Sequence, residues 1–263
     1  MPELPMNFSG KTSCAFVVGR SHLKTQTPCQ DYVAARQSND VTCIALADGA
    51  GSRARSDIGA QVAVTATLGL VCKNFETLWQ HMDKHNAKAA QRLTNRCLDA
   101  FRRKSTKLGC DISELACTLS FVAYSRGRYL AGHLGDGIIA SVDVEGQLQT
   151  LSAPENGEFA NTTLFLTDPK AVSKLRLYRG PIEAQTGFAI MSDGSAESLY
   201  HKSTGLPASA VQRLLEWNAT LPRKKMKVVL ADNLQQSIAL KTGDDCSIGL
   251  LSILPGDAST ETA

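Results

Sequence analysis

The sequence of 263 residues predicts an α+β fold, a layered sandwich whose sheets are largely antiparallel. Short apolar runs with β-branched residues follow one another in hairpin-like series, with turn dipeptides such as Arg126-Gly127 and Glu145-Gly146 between them. Two pairs of helical patterns interrupt these series, so strands and helices do not alternate as they do in a doubly wound parallel sheet. No internal repeat, linker or low-complexity tract divides the chain. We therefore expect one domain over residues 1–254 and a flexible tail over residues 255–263.

The first half of the chain predicts three strands followed by two helices. Strands are expected over residues 13–18, 32–35 and 41–47, with a polar loop over residues 20–28. Apolar side chains then recur at helical spacing, which predicts helices over residues 57–75 and 87–108. The second helix is amphipathic, and Gly109 is expected to end it because glycine readily adopts the left-handed conformation found at helix ends.

The second half of the chain is rich in predicted strands. They are expected over residues 117–124, 128–133, 137–142, 147–151, 164–167 and 188–191. Two further helical patterns cover residues 208–218 and 225–240, and a last strand covers residues 245–254. Strands thus come before, between and after the helix pairs, which is the order expected of a layered α+β sandwich.

Composition and charge argue against several classes of protein. Hydrophobic residues make up 43% of the chain, and the net charge of +3 arises from 28 basic and 25 acidic residues, a balance that disfavours nucleic-acid and membrane partners. The N-terminus lacks the pattern of a signal peptide, and no apolar run approaches the roughly 18 residues of a membrane-spanning helix. The 8 cysteines form no Cys-x-x-Cys pair, and several lie in apolar runs, which indicates a reducing compartment. We expect a cytoplasmic protein.

Aspartates stand beside the ends of the predicted strands. They are Asp31, Asp48, Asp136 and Asp193, and the pair Asp244-Asp245 begins the last strand. A single Asp-Gly dipeptide, of which the chain has three at these sites, is more often a turn than a metal ligand. However, strand ends meet at a sheet edge, where gathered carboxylates repel one another unless a cation neutralises them. Oxygen-only ligation suits Mg²⁺ or Mn²⁺, and two such ions about 3.5–4 Å apart hold a bridging hydroxide for attack on phosphorus.

Six short motifs in series resemble those of the type-2C metal-dependent serine/threonine protein phosphatases. They are Cys29-Gln30-Asp31, Leu46-Ala47-Asp48-Gly49-Ala50-Gly51, Cys117-Thr118-Leu119, Leu134-Gly135-Asp136-Gly137, Met191-Ser192-Asp193-Gly194 and Asp244-Asp245-Cys246-Ser247. One such motif is a weak signal, whereas six in order are a strong one. The chain is most similar to a bacterial branch of this family, through Gly19-Arg20-Ser21-His22 and Gly157-Glu158-Phe159-Ala160-Asn161.

The resemblance implies a four-layer α-β-β-α sandwich, in which two mainly antiparallel sheets are flanked by helices and the metals lie in a cleft at one edge. It implies two Mn²⁺ or Mg²⁺ ions and a third, weaker site. Carried over by position, Asp48 would bridge the two ions and the carbonyl of Gly49 would bind one of them. Asp193 and Asp244 would bind the other ion.

Further aspartates complete the site that the resemblance implies. Asp31 would act through water or through neighbouring groups, and Asp136 would help Asp193 to hold the third metal. The alignment of the last motif favours Asp244 as the ligand, and Asp245 remains the alternative.

The sequence departs from the family pattern at two catalytic positions. Many members carry a histidine directly after the first Asp-Gly, as a proposed acid for the leaving group, and here the residue is Ala50. We expect a metal-bound water to protonate the leaving seryl oxygen instead. The phosphate-binding arginine of the family has no clear match either, and His22 occupies roughly that region. We hypothesise that His22 contacts the substrate phosphate, the alternative being a loop histidine that bonds the local backbone.

The function that these observations predict is hydrolysis of phosphoserine and phosphothreonine in proteins, by direct attack of a hydroxide bridging two metal ions. The catalytic residues would be Asp48, Asp193, Asp31 and His22. Such an enzyme acts on phosphorylated proteins and opposes a serine/threonine kinase in a signalling circuit. One alternative is a pseudophosphatase that binds phosphoproteins as a regulatory module. Another is a two-metal nuclease, which the near-neutral charge disfavours.

Overall fold

Two five-stranded antiparallel sheets form the centre of the computed structural model, which describes residues 8–155, 163–182 and 185–255. The strands are β1 (Phe8–Val17), β2 (Asp31–Ser38), β3 (Val41–Asp48), β4 (Leu119–Ser125), β5 (Arg128–Leu134), β6 (Ile138–Asp143), β7 (Leu148–Ser152), β8 (Arg176–Pro181), β9 (Gln185–Met191), β10 (Tyr200–His201), β11 (Leu206–Pro207) and β12 (Cys246–Pro255). One sheet has the order β1-β12-β9-β6-β7 and the other has the order β2-β3-β4-β5-β8. Strands β10 and β11 form a separate two-stranded sheet.

Helices lie before, between and after these strands. In the described part of the chain they are α1 (Arg20–Thr25), α2 (Ser56–Lys84), α3 (Asn86–Leu108), α4 (Ala171–Lys174), α5 (Asp193–Leu199), α6 (Ser209–Thr220) and α7 (Arg223–Asn233). A short 3-10 helix covers Ile112–Leu115, and a π-helical turn over Leu234–Ile238 continues α7. Helix α3 ends where the sequence predicts, at Gly109, whose φ of 65° is left-handed.

Three apolar clusters separate four layers of structure. One joins α2 and α3 to the sheet of β3 and β4, and Phe101 and Phe121 are fully buried in it. The second joins α5, α6 and α7 to β6, β9 and β12. The third lies between the two sheets, where it brings together Ile44 and Phe188. Helices therefore cover the outer face of each sheet, and the predicted four-layer α+β sandwich is confirmed.

Helix α2 is longer than the sequence predicts. The expected end at residue 75 falls beside Asn74, whose backbone leaves the helical conformation (φ −131°, ψ 26°) before the helix resumes. Arg92 of α3 donates a hydrogen bond of 2.8 Å to the Asn74 side chain and so ties α3 to this kink. The sequence predicts no membrane-spanning helix, although by length and composition alone α2 could cross a membrane. However, 61% of its most apolar window is buried within the protein.

Residues 20–28 contain a helix where the sequence predicts only a polar loop. Helix α1 is a six-residue segment with no side-chain hydrogen bond at its N-cap, and Gln26 ends it in the left-handed conformation (φ 56°). Its first turn is held by contacts distant in sequence, because the Ser21 amide donates to the Gly243 carbonyl at 2.9 Å. Tertiary contacts of this kind leave no periodic signal in the sequence.

The strand predicted over residues 164–167 is wrong, and β8 follows it instead. Leu164 and Leu166 are buried in the first cluster, but the backbone turns at once, since the Asp168 amide donates to the Phe165 carbonyl at 2.9 Å. Strand β8 is an edge strand that pairs with β5. Arg176 and Arg179 interrupt its apolar pattern, and for this reason the pattern of apolar residues does not predict a strand here.

Two boundaries near the candidate site and the C-terminus also differ. The Asp193-Gly194 dipeptide begins helix α5 rather than a turn, and a carboxylate in a first helical turn interacts favourably with the helix dipole. At the end of the chain, Pro255 pairs with Phe8, so β12 includes the first residue of the predicted tail. Residues 256–263 lie outside the described residues, and a single domain over residues 1–254 remains a prediction.

Candidate metal centre

The hairpin of β2 and β3 brings two aspartates together. Asp31 begins β2 and Asp48 ends β3, and the antiparallel register places the two residues opposite each other. The Asp48 backbone is fixed by Thr118, whose amide donates to the Asp48 carbonyl at 2.8 Å and whose hydroxyl accepts from the Asp48 amide at 2.9 Å. The next residue, Gly49, packs so closely on Ser56 that an added Cβ would lie 2.8 Å from its backbone. Glycine is therefore required where the chain leaves β3.

The other sheet contributes Asp136 and Asp193 to the same cleft. Asp136 precedes β6 and Asp193 follows β9, and these strands pair with Ile138 opposite Met191. Carboxylate oxygens of Asp48, Asp136 and Asp193 lie within 4.8 Å of one another. The sequence predicts only that these aspartates lie at a sheet edge. In the structure, strand ends from both sheets meet at one point.

The pKa values of these carboxyl groups are raised. Burial raises the pKa of Asp31 to about 7 and that of Asp193 to about 6, and neighbouring negative charges add to both shifts. The pKa of Asp48 lies well above its ordinary value, first because the group is removed from water and then because Asp31, Asp193 and Asp136 surround it with negative charge. The cluster is therefore costly to ionise in the absence of a compensating cation.

The donor set of the cleft fits a hard divalent cation. Oδ1 of Asp136 and Oδ2 of Asp31 are buried and have no hydrogen-bond partner among the described residues. The cleft, of about 150 Å³, is lined by carboxylates and contains no Lys or Arg among its described lining residues. Oxygen ligands without a neutralising side chain are what Mg²⁺ and Mn²⁺ prefer. Asp48, Asp136 and Asp193 are thus the residues that could hold the metal, with Asp31 behind them.

Asp244 and Asp245 differ sharply in their surroundings. Asp245 is 2% exposed, and its carboxylate accepts hydrogen bonds from the Gly19 amide at 2.7 Å and the Gln30 amide at 2.6 Å. Asp244 is exposed and lines the cleft, and one of its oxygens accepts from the Asp245 amide at 2.8 Å. Asp245 therefore has its oxygens engaged by the protein, whereas Asp244 is free to take a ligand role.

His22 lies on α1 and lines the cleft. Its Nδ1 is 2.9 Å from Oδ2 of Asp245, and the pair is an ion pair when the imidazole is protonated. The alternative expectation, a histidine whose ring bonds the local backbone, finds no hydrogen bond to support it among the described residues. A buried carboxylate that bonds one ring nitrogen fixes the ring's orientation.

Thr163 is a cleft residue that the sequence did not single out. Its hydroxyl donates a hydrogen bond of 2.5 Å to Oδ2 of Asp136, whose Oδ1 has no partner among the residues that the structure describes. It follows the Gly157–Asn161 motif and precedes residues 164–167, for which the sequence predicts a strand, so no sequence pattern marks Thr163 as functional. The motif itself, including Glu158 and Asn161, lies outside the described residues.

The chain is similar to known proteins in sequence and in fold. The curated Serine/threonine-protein phosphatase 3 of Escherichia coli (strain K12) is 29% identical over 169 residues, which cover 62% of this chain and 65% of that protein, just under two thirds of its length. The catalytic domain of the phosphatase PstP, solved with two manganese ions, superposes with a TM-score of 0.62 at 15% identity, over 94% of this chain and 100% of that one. RsbX, solved with magnesium, gives 0.53 at 13% identity, over 93% and 95%.

These structural matches show the fold alone, because their sequence identities are too low to show more. The family itself is shown by its sequence model, described as protein phosphatase 2C, which matches residues 18–235. That range holds most of the chain and includes Asp31, Asp48, Asp136 and Asp193. The chain belongs to the protein phosphatase 2C family.

Proposed function

We propose that the protein is a metal-dependent phosphatase that hydrolyses phosphoserine and phosphothreonine in proteins. One observation carries this proposal: Asp48, Asp136 and Asp193 converge from two sheets, with oxygens within 4.8 Å of one another and no Lys or Arg among the described residues that line their cleft. Carboxylates in this arrangement favour a divalent cation. When bound, Mn²⁺ or Mg²⁺ would activate a water molecule and neutralise charge on a phosphate.

Each carboxylate has a distinct task in this proposal. Asp48, at the centre of the cluster, would be shared between two ions, while Asp193 and Asp244 would complete one coordination sphere. Asp136 would hold a third, weaker ion together with Asp193. Asp31 is buried behind Asp48, and its unpartnered oxygen would accept a hydrogen bond from water in the site.

His22 would bind and orient the substrate phosphate. Its Nδ1 faces the buried carboxylate of Asp245, and this bond would hold the ring while the ring lines the cleft. Ala50 also lines the cleft and carries no proton donor, so the side chain at that position cannot act as the acid for the leaving group. We infer that this proton comes from solvent within the site.

The wider biological setting is also part of the proposal. A protein phosphatase opposes a serine/threonine kinase in a signalling circuit, and phosphorylated proteins would be its partners. Cytoplasmic location is supported by the free state of all eight cysteines, of which Cys43, Cys72, Cys97, Cys117 and Cys246 are buried. The pseudophosphatase alternative is disfavoured, because a module that only binds phosphoproteins does not require clustered carboxylates with raised pKa values.

Turnover assays test the proposal. The protein should hydrolyse p-nitrophenyl phosphate and a phosphothreonine peptide when Mn²⁺ is added, and EDTA should abolish both activities. Asp48→Asn and Asp193→Asn should reduce both to background, because each removes a charged metal ligand. Specific binding of a phosphopeptide without turnover at any Mn²⁺ or Mg²⁺ concentration would favour the pseudophosphatase instead, and cleavage of nucleic acid would favour the nuclease.

A further inference from the structure

A second, mostly apolar groove lies beside the metal cleft, on the other side of helix α1. It encloses about 390 Å³ and is lined mainly by Val17, Val18, Arg20, Leu23, Ala239 and Leu240. Within α1, Arg20 and Leu23 line this groove while His22 lines the metal cleft. The short helix α1 is therefore the wall that the groove and the cleft share.

Two leucines expose large apolar surfaces at the groove. Leu23 is 62% exposed and Leu240 is 59% exposed, although Leu234 and Ile238, which lie close to Leu240 in sequence, are buried in the second cluster. The π-helical turn over Leu234–Ile238 directly precedes this position, and such turns are frequent at functional sites. A single exposed leucine is common on protein surfaces, whereas two exposed leucines that line the same groove indicate a binding surface.

The charge around the groove selects for an acidic occupant. Arg20 is the charged residue among those that line it, and no carboxylate does so among the described residues. Lys24 follows Leu23 and Lys241 follows Leu240, and both are exposed, with side chains that make no ion pair or hydrogen bond to any described residue. The contact between the Ser21 amide and the Gly243 carbonyl (2.9 Å) holds these two segments together.

We propose that this groove docks the phosphoprotein substrate itself, through a large apolar side chain flanked by acidic residues. The inference rests on the proposed phosphatase function and adds the class of sequence that the enzyme prefers. A helix with its side chains is about 10–12 Å across, and an extended peptide advances about 3.3–3.6 Å per residue. With its phosphoresidue in the cleft, a peptide that crosses α1 would therefore place its third or fourth neighbouring residue in the groove.

Steady-state kinetics with Mn²⁺ test the docking. The substrates are p-nitrophenyl phosphate and two sets of phosphothreonine peptides. One set carries leucine and acidic residues three or four positions before the phosphothreonine, and the other set carries them three or four positions after it. Each peptide is compared with a control in which alanine replaces these residues. Leu240→Glu should raise KM for one leucine-containing set by about tenfold, because burial of a leucine is lost. It should leave kcat and p-nitrophenyl phosphate hydrolysis unchanged. Lys241→Glu should raise the same KM.

Val144→Glu is the matched control, since Val144 is 67% exposed and lies beyond the far end of β6 from Asp136. It should change none of these constants. The docking proposal is overturned if the wild-type enzyme hydrolyses leucine and alanine peptides with equal kcat/KM, or if Leu240→Glu and Val144→Glu behave alike. A complete lack of Mn²⁺-dependent hydrolysis on every substrate would overturn the proposed function, and with it the docking.

Discussion

Asp31 and Asp48 lie directly opposite each other across the β2–β3 ladder, and Asp31 is only 3% exposed. Like charges at directly opposed strand positions destabilise a sheet, so such a pair persists only where something compensates for it. Asp136 and Asp193 arrive from the second sheet and increase the negative charge. The protein therefore stores electrostatic repulsion at one edge of the sandwich, and a bound divalent cation would relieve it.

The pH dependence of stability of the metal-free protein follows from this repulsion. The pKa of Asp31 is raised from 3.8 to about 7 and that of Asp193 to about 6, so the folded state holds more protons than the unfolded state between these values. These two carboxyls should therefore make the free energy of unfolding fall as the pH rises from about 4 to about 7. They outweigh the buried His133, whose pKa burial lowers to about 3 and which acts in the opposite direction. Thermal unfolding in EDTA across this range measures it.

Asp31→Asn is the variant for this prediction. Its free energy of unfolding should decrease less as the pH rises, because the asparagine amide cannot ionise. For the wild type, saturating Mn²⁺ should raise the melting temperature more at pH 7 than at pH 5. A metal-free wild-type protein that gains stability steadily over this pH range would contradict the account.

Asp244 and Asp245 should separate metal binding from stability. Asp245→Ala leaves the amides of Gly19 and Gln30 without their buried acceptor, so it should lower the free energy of unfolding by about 3 kcal/mol. Asp244→Ala should leave it nearly unchanged in EDTA but weaken Mn²⁺ binding. Urea denaturation and calorimetric titration measure the two quantities. The reverse pattern would make Asp245 the ligand.

Thr163 should act by holding Asp136. Thr163→Val removes the hydroxyl that donates to Oδ2 of Asp136, and it should raise the dissociation constant for the most weakly bound Mn²⁺ about tenfold. Thr163→Ser keeps the hydroxyl and should bind Mn²⁺ as the wild type does. Calorimetric titration checks both variants, and equal affinity of the valine and serine variants would remove this role.

His22 should matter for the substrate more than for the metal. His22→Ala should lower kcat/KM for a phosphopeptide about tenfold or more, through loss of a charged hydrogen bond to phosphate, while Mn²⁺ affinity stays the same. Because the variant also loses a bond to Asp245, its melting temperature is the control for general damage. Unchanged KM and kcat would show that His22 does not contact the phosphate.

The sequence predicted the four-layer fold and the strands that lead to the site. Aspartates at the strand ends follow a recognisable order. The apolar runs of β3 and β4, which begin at Val41 and Leu119, predict these strands because both are buried along almost their whole length. Elements at the rim were missed. Helix α1 has no side-chain cap and is held in place by the hydrogen bond from the Ser21 amide to the Gly243 carbonyl. Strand β8 mixes arginines with apolar residues at a sheet edge.

The same division applies to the site. Residue type and order marked Asp48, Asp136 and Asp193 as candidates, but only the tertiary structure shows that their oxygens meet. The bonds of Asp245 to backbone amides and of Thr163 to Asp136 join residues far apart in the chain, and neither belongs to a periodic pattern. The alignment of the last motif favours Asp244 over Asp245 as the ligand, and the difference in their burial supports this choice.

A crystal soaked in Mn²⁺ would show whether two metal ions share Asp48 in the cleft, as we propose. Anomalous scattering at the manganese edge should show two ions in the cleft, both in contact with the carboxylate of Asp48, and Asp193 should contact one of them. An empty cleft at saturating Mn²⁺, or manganese bound without contact to Asp48, would contradict the account.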